Sequence, residues 1–301
     1  MEPIVRFLDL VQYDGNEPNY QFTRDLINGL LFFKAPQELN DPFEVSPVLD
    51  GRGLEKTTIN KLMKVIIAML SLSYGMTLAE AERELLRRVA HMGVEQYADI
   101  HRKQLRTLYF DLMRKNMESH GVCCFIQPNA SRESLAHEKL MWSLYTNKAS
   151  GVRLEFDKNA LIDSIDTSSL KSAKDDLARV SRPISYQRTR PKIDVWKFFL
   201  ALSKSSNEGE RERIMINKIF KPYLFTKSEA WRMENEFRIS IEGASNELLP
   251  FDTASLKKIS LGPRCDGKVR SSLIEAFIDR IPIYDVKVSR SSYALLRKRI
   301  K

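Results

Sequence analysis

The chain has 301 residues, 43% of them hydrophobic and 29% charged, and its formal net charge at pH 7 is +9. This is ordinary globular composition, so we expect a packed core in one large domain or two small ones. The basic balance suggests contact with a polyanion, although no stretch is a dense basic tract, so a basic binding face has to be assembled by folding.

Several classes of protein are disfavoured at once. An odd count of three cysteines, with Cys123 and Cys124 adjacent, is a poor disulfide framework and indicates a reducing compartment. The sequence has no Cys-x-x-Cys or His-x-x-x-His spacing, so we do not expect a structural zinc site. The longest apolar run, residues 65–72, is too short to span a bilayer. We therefore expect a soluble, cytoplasmic protein that does not contact a membrane.

The first part of the chain mixes strands with one helix. The pattern predicts strands at 4–8 and 30–33, with a helix at 23–29 between them. Residues 40–44 (Asn-Asp-Pro-Phe-Glu) contain a strong turn signal. We expect the Asp41 carboxylate to accept hydrogen bonds from nearby backbone amides, and a catalytic role is the alternative.

Residues 55–119 change character, because they carry few glycines and show helical spacing throughout. Thr77 and Glu80 form a capping box that opens one helix, and another helix runs over about 94–117. We interpret this block as a helical insertion in an α+β domain. A cluster on its last helix is either a solvated face or a phosphate-contacting face: His101, Arg102, Lys103 and Arg106.

The remaining elements interleave strands and helices without a regular βαβ repeat, so a single mixed α+β domain over residues 1–301 fits better than a doubly wound sheet. We predict strands at 122–126, 152–156, 184–186, 258–262 and 283–288, and helices at 138–145, 196–224 and 269–281. A basic loop holds Arg188, Arg190 and Lys192.

The stretch from Trp231 to Ile241 reads as a strand whose side chains alternate between two faces. One face would carry two carboxylates about 7 Å apart, with an arginine on each side. Such carboxylates raise each other's proton affinity unless cations or a substrate offset the repulsion. The charged face consists of Arg232, Glu234, Glu236 and Arg238. It is either a self-neutralised row of surface charges or the catalytic face of a Glu-x-Glu strand.

The motifs of several common enzymes are missing. The sequence has no Gly-x-Ser-x-Gly turn, no Walker loop and no Gly-x-Gly-x-x-Gly. Carboxylates, arginines and aromatic residues remain. That set can serve metal-assisted cleavage of a phosphodiester, or displacement at a sugar carbon through an oxocarbenium-like transition state that a carboxylate stabilises.

An ordered series of motifs resembles a bacterial family that is catalogued as a domain of unknown function. Members show Asn-Asp-Pro-Phe-Glu, a Leu-Trp-x-x-Tyr element before a Gly strand, and Trp-x-x-Glu-x-Glu-x-Arg. The corresponding segments here are 40–44, 140–145 with Gly151, and 231–238. The chain departs from that pattern where Met141 separates Leu140 from Trp142, and where Arg6-Phe7 replaces a basic residue followed by Tyr.

More distantly, this pattern is similar to ADP-ribosyltransferases, and the resemblance implies a split β-sheet core with a helical attachment. It implies that Arg6 grips NAD and that Ser143 or Tyr145 contacts the nicotinamide side. Glu236 would stabilise the oxocarbenium and Glu234 would orient the acceptor. The remaining motif residues would have substrate or structural roles: Asn40, Asp41, Trp142 and Arg238.

The resemblance and the basic charge together predict an enzyme that cleaves NAD and transfers ADP-ribose to a nucleic acid, with RNA favoured over DNA. Such an enzyme would be a toxin or an antiphage defence effector that has an antitoxin partner, uses NAD as a co-substrate and needs no metal. Replacing Glu236 with Gln should then abolish transfer and leave the fold intact.

Other interpretations stay open. One is a metal-dependent nuclease built from four carboxylates: Asp41, Glu44, Glu234 and Glu236. Another is a non-catalytic module that binds nucleic acid. Individual residues also have purely structural interpretations. Arg6 would pair with a surface carboxylate, Trp142 and Tyr145 would share a buried helix face, and Trp231 would anchor the core.

Overall fold

A computed structural model of the protein describes residues 2–14, 17–41, 43–128, 133–170 and 179–300. Its strands, in chain order, are β1 (Pro3–Leu8), β2 (Gln12–Asp14), β3 (Glu17–Asn19), β4 (Leu30–Phe33), β5 (Val48–Asp50), β6 (His120–Ile126), β7 (Val152–Asp157), β8 (Arg179–Pro183), β9 (Ser185–Gln187), β10 (Lys192–Asp194), β11 (Thr226–Ser228), β12 (Glu236–Glu242), β13 (Glu247–Pro250), β14 (Leu256–Leu261), β15 (Ile283–Val288) and β16 (Leu295–Arg299).

The α-helices are α1 (Gln21–Ile27), α2 (Arg52–Glu55), α3 (Ile59–Tyr74), α4 (Leu78–Met92), α5 (Val94–Ser119), α6 (Glu133–Tyr145), α7 (Lys158–Ser164), α8 (Val195–Leu202), α9 (Glu208–Met215), α10 (Lys221–Leu224) and α11 (Gly267–Phe277). Short 3-10 helices lie at Pro36–Glu38, Glu229–Glu234 and Thr253–Ser255, and a π-helical turn at Ile216–Phe220. The predicted mixed α+β class is confirmed.

The chain divides into two compact units. The sheet unit comprises Met1–Leu39, Ser119–Tyr186 and Glu229–Lys301, and the helical unit comprises Asn40–Glu118 and Gln187–Ser228. The helices predicted within 55–119 are therefore part of a unit that also takes in a second, distant segment of the chain. That the whole chain forms one catalytic domain stays a prediction.

The sheet unit is organised around a mixed sheet. Eight of the unit's described strands form this sheet in the order β16-β15-β14-β7-β1-β6-β12-β8. Neighbouring strands are antiparallel except β14 and β15, which are parallel. Hydrogen bonding is continuous from β16 to β8, whereas the resemblance to ADP-ribosyltransferases implies a split sheet.

The two faces of this sheet carry different side chains. One face holds the main hydrophobic core, which includes Phe125, Phe156, Ile239 and Leu261, all 1% exposed or less. On the other face, α6 packs against β1, and the ring of Trp142 meets that of Phe7 edge to face at 5.2 Å. The sheet thus buries apolar side chains on both sides. β12 is buried along six of its seven residues, with a polar face formed by Glu236, Arg238 and Ser240 opposite its apolar face.

The helical unit has its own core. The buried Tyr109 of α5 contacts Phe198 and Phe199 of α8 edge to face, with ring centroids 5.1 and 6.4 Å apart. Residues from both segments of the unit therefore share one hydrophobic cluster.

The predicted capping box is present at the start of α4. The Thr77 side chain and the Glu80 carboxylate each accept a hydrogen bond from the backbone N–H of the other residue.

The strand predicted from Trp231 is wrong in its first half. Residues Glu229–Glu234 form a 3-10 helix, and the strand begins at Glu236. Between them, Asn235 adopts a positive φ of 43°, a conformation that asparagine tolerates better than most residues. Its side-chain amide donates to the Gln127 carbonyl at 2.7 Å, and its carbonyl accepts from the Gln127 amide at 2.9 Å. This tie to the end of β6 ends the alternation that the sequence suggests.

Among the described residues, no single helix has both the length and the apolar composition to cross a membrane. The pair α3 and α4 passes that test of length and composition only when taken together, and a bend of 116° separates the two helices.

Candidate functional site

The sheet unit contains a cavity of about 750 Å³ over the face of the sheet on which α6 packs. Its floor is apolar and includes Val5, Phe7 and Ile126 from the sheet and Met141 from α6. Pockets for small molecules in proteins usually measure about 300 to 1,000 Å³ and have mostly apolar linings with a few polar groups. The cavity therefore has the size and the apolar floor of a ligand site.

The register of the strands brings the cavity's polar groups to the same face. Val5 of β1 lies opposite Ile126 of β6 and Glu155 of β7. Lys258 of β14 lies opposite Glu155 on the other side. Directly paired residues of antiparallel strands point to the same side of the sheet, so Glu155 and Lys258 stand beside the apolar floor. Arg153, two residues before Glu155, shares this face.

These side chains form a row of alternating charge. The Arg153 guanidinium lies 2.9 Å from Glu155 and 3.7 Å from Glu138 of α6. Lys258 Nζ lies 3.3 Å from Glu155, and Arg297 of β16 donates to Glu138. Three cations therefore face two carboxylates, and the five side chains are between 11% and 33% exposed. We call these residues the charged row: Arg153, Lys258, Arg297, Glu138 and Glu155.

Helix α6 carries one carboxylate of the row into place. The Trp142 indole donates to Glu138 Oε1 at 3.3 Å, one helical turn away. Trp142 is 2% exposed and packs on Phe7, so the helix face that it anchors also fixes Glu138. His137, the residue before Glu138, also lines the cavity. The predicted buried role of Trp142 is thus consistent with its position.

The environment of Glu155 favours its ionised form. Burial raises the pKa of this carboxyl, but hydrogen bonds and charge interactions with Arg153 and Lys258 outweigh burial, so its pKa is lowered. The cavity therefore presents a carboxylate, not a carboxylic acid, at neutral pH.

Acid titration should reveal this arrangement. A carboxyl with a lowered folded-state pKa contributes stability above its unfolded pKa of about 4.3, and that stability is lost as the pH falls through the folded value. We expect Glu155→Gln to unfold more easily than the wild type at pH 6, by up to about 1 kcal/mol for a partly exposed pair. The difference should shrink toward pH 3. Urea unfolding at both pH values measures it, and a pH-independent difference would contradict the ion pairing.

Sequence reasoning missed the charged row. It named no functional role for any of the five residues, which come from four different elements. Only the alternation of Arg153 and Glu155 on one strand was a local signal, since two residues of opposite charge at this spacing share a face.

The two predicted catalytic glutamates lie outside the lining of this cavity. Glu236 is 5% exposed as a whole residue, and its carboxylate accepts hydrogen bonds from Arg238 at 2.5 and 3.2 Å. Glu234 is 2% exposed and accepts a hydrogen bond from the Tyr145 hydroxyl. The two carboxylates do not share one face of a strand as predicted, because Glu234 ends the 3-10 helix.

The sheet separates Arg6, which was predicted to bind NAD, from Glu236. Val5, not Arg6, shares a face with Ile126 and Glu236, so Arg6 points to the opposite side. There its guanidinium donates to Cys123 Sγ at 2.7 Å and lies 5.8 Å from the Phe125 ring centroid. The structure therefore does not bring Arg6 to the side of the sheet that carries Glu236.

The remaining motif residues have local roles. Ser143 is exposed, whereas Tyr145 is half-buried and contacts Glu234. Asn40 is exposed, and Asp41 Oδ1 accepts the Phe43 amide at 2.9 Å, the local bond that the turn signal predicts. Pro42, between them, lies outside the described residues.

The four carboxylates of the nuclease interpretation belong to different units. Asp41 and Glu44 lie in the helical unit, whereas Glu234 and Glu236 lie in the sheet unit. In the part of the chain that the structure describes, no three His, Cys, Asp or Glu side chains are grouped so that they could hold a metal ion.

Comparison with known proteins gives one family match. The family model described as Protein of unknown function (DUF2971) matches residues 141–239, which run from Met141 on α6 to Ile239 on β12. No curated protein and no solved structure matches the chain. Over this segment, which includes Trp142, Tyr145 and Glu236, the chain is similar to a domain-of-unknown-function family, as its motifs predict.

Proposed function

We propose that the chain binds NAD in the sheet-unit cavity and transfers its ADP-ribose to a nucleic acid, with RNA favoured over DNA. The observation that carries the proposal is the charged row beside an apolar floor in a cavity of about 750 Å³. A toxin or antiphage effector with an antitoxin partner would be the biological setting that the motif resemblance implies.

The residues present suit a dinucleotide with two phosphates. Arginine and lysine bind phosphate through charge-assisted hydrogen bonds, and Arg153, Lys258 and Arg297 supply three cations. Flat rings of a ligand would rest on Phe7, Ile126 and Met141. The two carboxylates of the row hold the cations in fixed positions before a ligand arrives, which reduces the ordering cost of binding.

The same row offers a carboxylate for the chemistry. In the proposed reaction the bond between ribose C1′ and the nicotinamide nitrogen breaks, and its electron pair leaves with nicotinamide. An acceptor oxygen or nitrogen forms the new bond to C1′ and loses its proton to solvent or a nearby base. Positive charge develops on the ribose in the transition state, and an ionised carboxylate stabilises it. Glu155 suits this role because it is ionised and lines the cavity.

Glu234 and Glu236 take a different part in this proposal. Both are almost fully buried, and Glu236 is bound to Arg238. We assign them to the support of the cavity wall, since their neighbours Met233 and Asn235 line it. Catalytic roles for the two glutamates stay predictions from the motif resemblance.

Two variants test the proposal directly. Replacing Glu155 with Gln should lower transfer by about 100-fold or more, because a single group that stabilises transition-state charge is worth that much. Replacing Lys258 with Met should weaken NAD binding by about tenfold or more. Incubation with labelled NAD and, separately, RNA, DNA and protein measures transfer, and calorimetry measures NAD binding.

Lys257→Met is the matched control. Lys257 immediately precedes Lys258 on β14, and its ammonium donates to the Ala254 carbonyl, not to the charged row. This variant should bind NAD as the wild type does. Absence of both NAD binding and nicotinamide release in the wild type would refute the proposal, and shortened RNA without NAD would instead support the nuclease interpretation.

A further inference from the structure

The helical unit displays a phenylalanine to solvent. Phe43 belongs to a turn formed by Phe43, Glu44 and Val45, and its side chain is 64% exposed. Exposed aromatic rings are common singly, so exposure by itself indicates nothing. What distinguishes Phe43 is how firmly its neighbours are held.

Buried polar groups fix this turn. The Glu44 carboxylate lies 2.9 Å from Lys227 Nζ, with the two side chains 1% and 3% exposed. The Glu44 amide donates to the Asp41 carbonyl at 3.0 Å, and the Phe43 amide donates to Asp41 Oδ1 at 2.9 Å. Separating the members of a buried ion pair would leave uncompensated buried charge, which is strongly unfavourable. The fold thus anchors residues 41 and 44 inside and leaves Phe43 outside.

A cation lies over the exposed ring. The Arg190 guanidinium carbon is 5.4 Å from the Phe43 ring centroid, and Arg190 Nη1 lies 3.5 Å from Ser46 Oγ. Parallel pairing of β5 with β10 brings the two loops together, since Lys192 lies opposite Val48 and the Val48 amide donates to the Pro191 carbonyl at 2.9 Å. Backbone pairing therefore sets the position of the guanidinium beside the ring.

The surroundings are positive. The helical unit contains 22 Lys and Arg and 15 Asp and Glu, so it carries +7 of the chain's net charge of +9. Arg188, Arg190 and Lys192 are all exposed. The carboxylates of the paired strands, Asp50 and Asp194, already contact Arg52 and Lys197. A polyanion approaching this loop therefore meets a surplus of cations.

We infer that Phe43 and Arg190 form a stacking site for an unpaired base of a single-stranded nucleic acid, whose phosphates contact Arg188 and Lys192. Proteins that bind single strands combine aromatic rings, on which bases stack, with positive surface that follows the backbone. In the context of the proposed function, on which the assignment as acceptor rests, this site would hold the nucleic acid that receives ADP-ribose.

Fluorescence anisotropy with a labelled oligouridylate tests the inference on the full-length protein. Phe43→Ala should weaken binding by about tenfold or more, because stacking on one aromatic side chain is worth that much. Phe43→Trp should retain the affinity. Arg188→Ala should reduce the slope of log affinity against log salt by about 0.7, since one phosphate contact to a single strand is lost.

The chain offers a matched control. Tyr74, at the end of α3 in the same unit, is 65% exposed, and Tyr74→Ala should bind the oligonucleotide as the wild type does. The inference is overturned by equal binding of Phe43→Ala and wild type, by equal binding of Phe43→Ala and Tyr74→Ala, or by preference for duplex RNA or polyglutamate over the single strand.

Failure of this inference is distinguishable from failure of the proposed function. Phe43→Ala should bind NAD as tightly as the wild type, because no cavity-lining residue of the sheet unit is changed. Loss of oligonucleotide binding without any NAD binding by the wild type would leave a single-strand site that serves no transferase. Retained oligonucleotide binding by Phe43→Ala alongside normal NAD binding would remove only the stacking site.

Discussion

Glu236→Gln is expected to lower the free energy of unfolding by about 3 kcal/mol, the effect of removing one partner of a buried ion pair. The Glu236 and Arg238 side chains are only 6% and 1% exposed, and the carboxylate accepts from the guanidinium at two positions. Glutamine keeps the shape but not the charge, so the buried guanidinium loses the charge that Glu236 supplies. Urea unfolding followed by circular dichroism measures the difference.

Two further variants isolate the pair. Glu247→Gln changes an exposed glutamate of the same unit and should alter stability by no more than about 0.5 kcal/mol. Combining Glu236→Gln with Arg238→Met should cost less than the two single changes added together, by about 1 kcal/mol or more, because the charges interact. Additive effects would mean that the two residues do not depend on each other.

Weaker folding of Glu236→Gln would by itself lower the transfer activity measured for that variant. The motif resemblance predicts that Glu236→Gln abolishes transfer and leaves the fold intact, whereas the buried pair predicts that the fold is weakened. Transfer by this variant should therefore be measured at a temperature well below its own unfolding midpoint. If the folded variant retains transfer while Glu155→Gln loses it, the reacting carboxylate is Glu155.

Gly151→Ala is expected to destabilise the sheet unit by about 3 kcal/mol, because an overpacked site forces the backbone to shift. A Cβ atom on Gly151 would lie 2.0 Å from the Leu8 carbonyl oxygen and 2.9 Å from Thr146 Cβ. Leu8 pairs with Val152 where β1 meets β7, so the two central strands would have to separate there. Thermal unfolding of the two proteins measures the loss.

Gly267→Ala serves as the comparison. Gly267 begins α11 in the same unit, and a Cβ there would meet nothing within 4 Å. Alanine also favours helix over glycine, so this variant should be at least as stable as the wild type. Equal stability of Gly151→Ala and Gly267→Ala would show that β1 and β7 do not approach as closely as described.

Local signals identified many elements correctly. The capping box at Thr77 and Glu80, the helix from residue 94 and the strand at 283–288 are all present. Each depends on residues close in sequence: side chains that cap the first turn, apolar spacing along a helix, or alternation along a strand. Such interactions are the same in any fold that contains the element.

The error at Trp231–Ile241 has the opposite origin. Alternating charges at Arg232, Glu234, Glu236 and Arg238 fit a strand, and nothing nearby in sequence argues against it. The tie that interrupts the strand is the hydrogen bonding of Asn235 to Gln127, more than a hundred residues earlier in the chain. A contact across that separation leaves no trace in a local pattern.

The sequence by itself determined the α+β class, most element positions, the basic balance and the similarity to a domain-of-unknown-function family over residues 141–239. Only the tertiary structure decided which charged groups meet. Strand register put Arg6 on one face of the sheet and Glu155 with Lys258 on the other, and it enclosed Glu236 with Arg238. The physical reason is that a strand's side chains alternate, so a shift of one residue in pairing moves each of them to the opposite face.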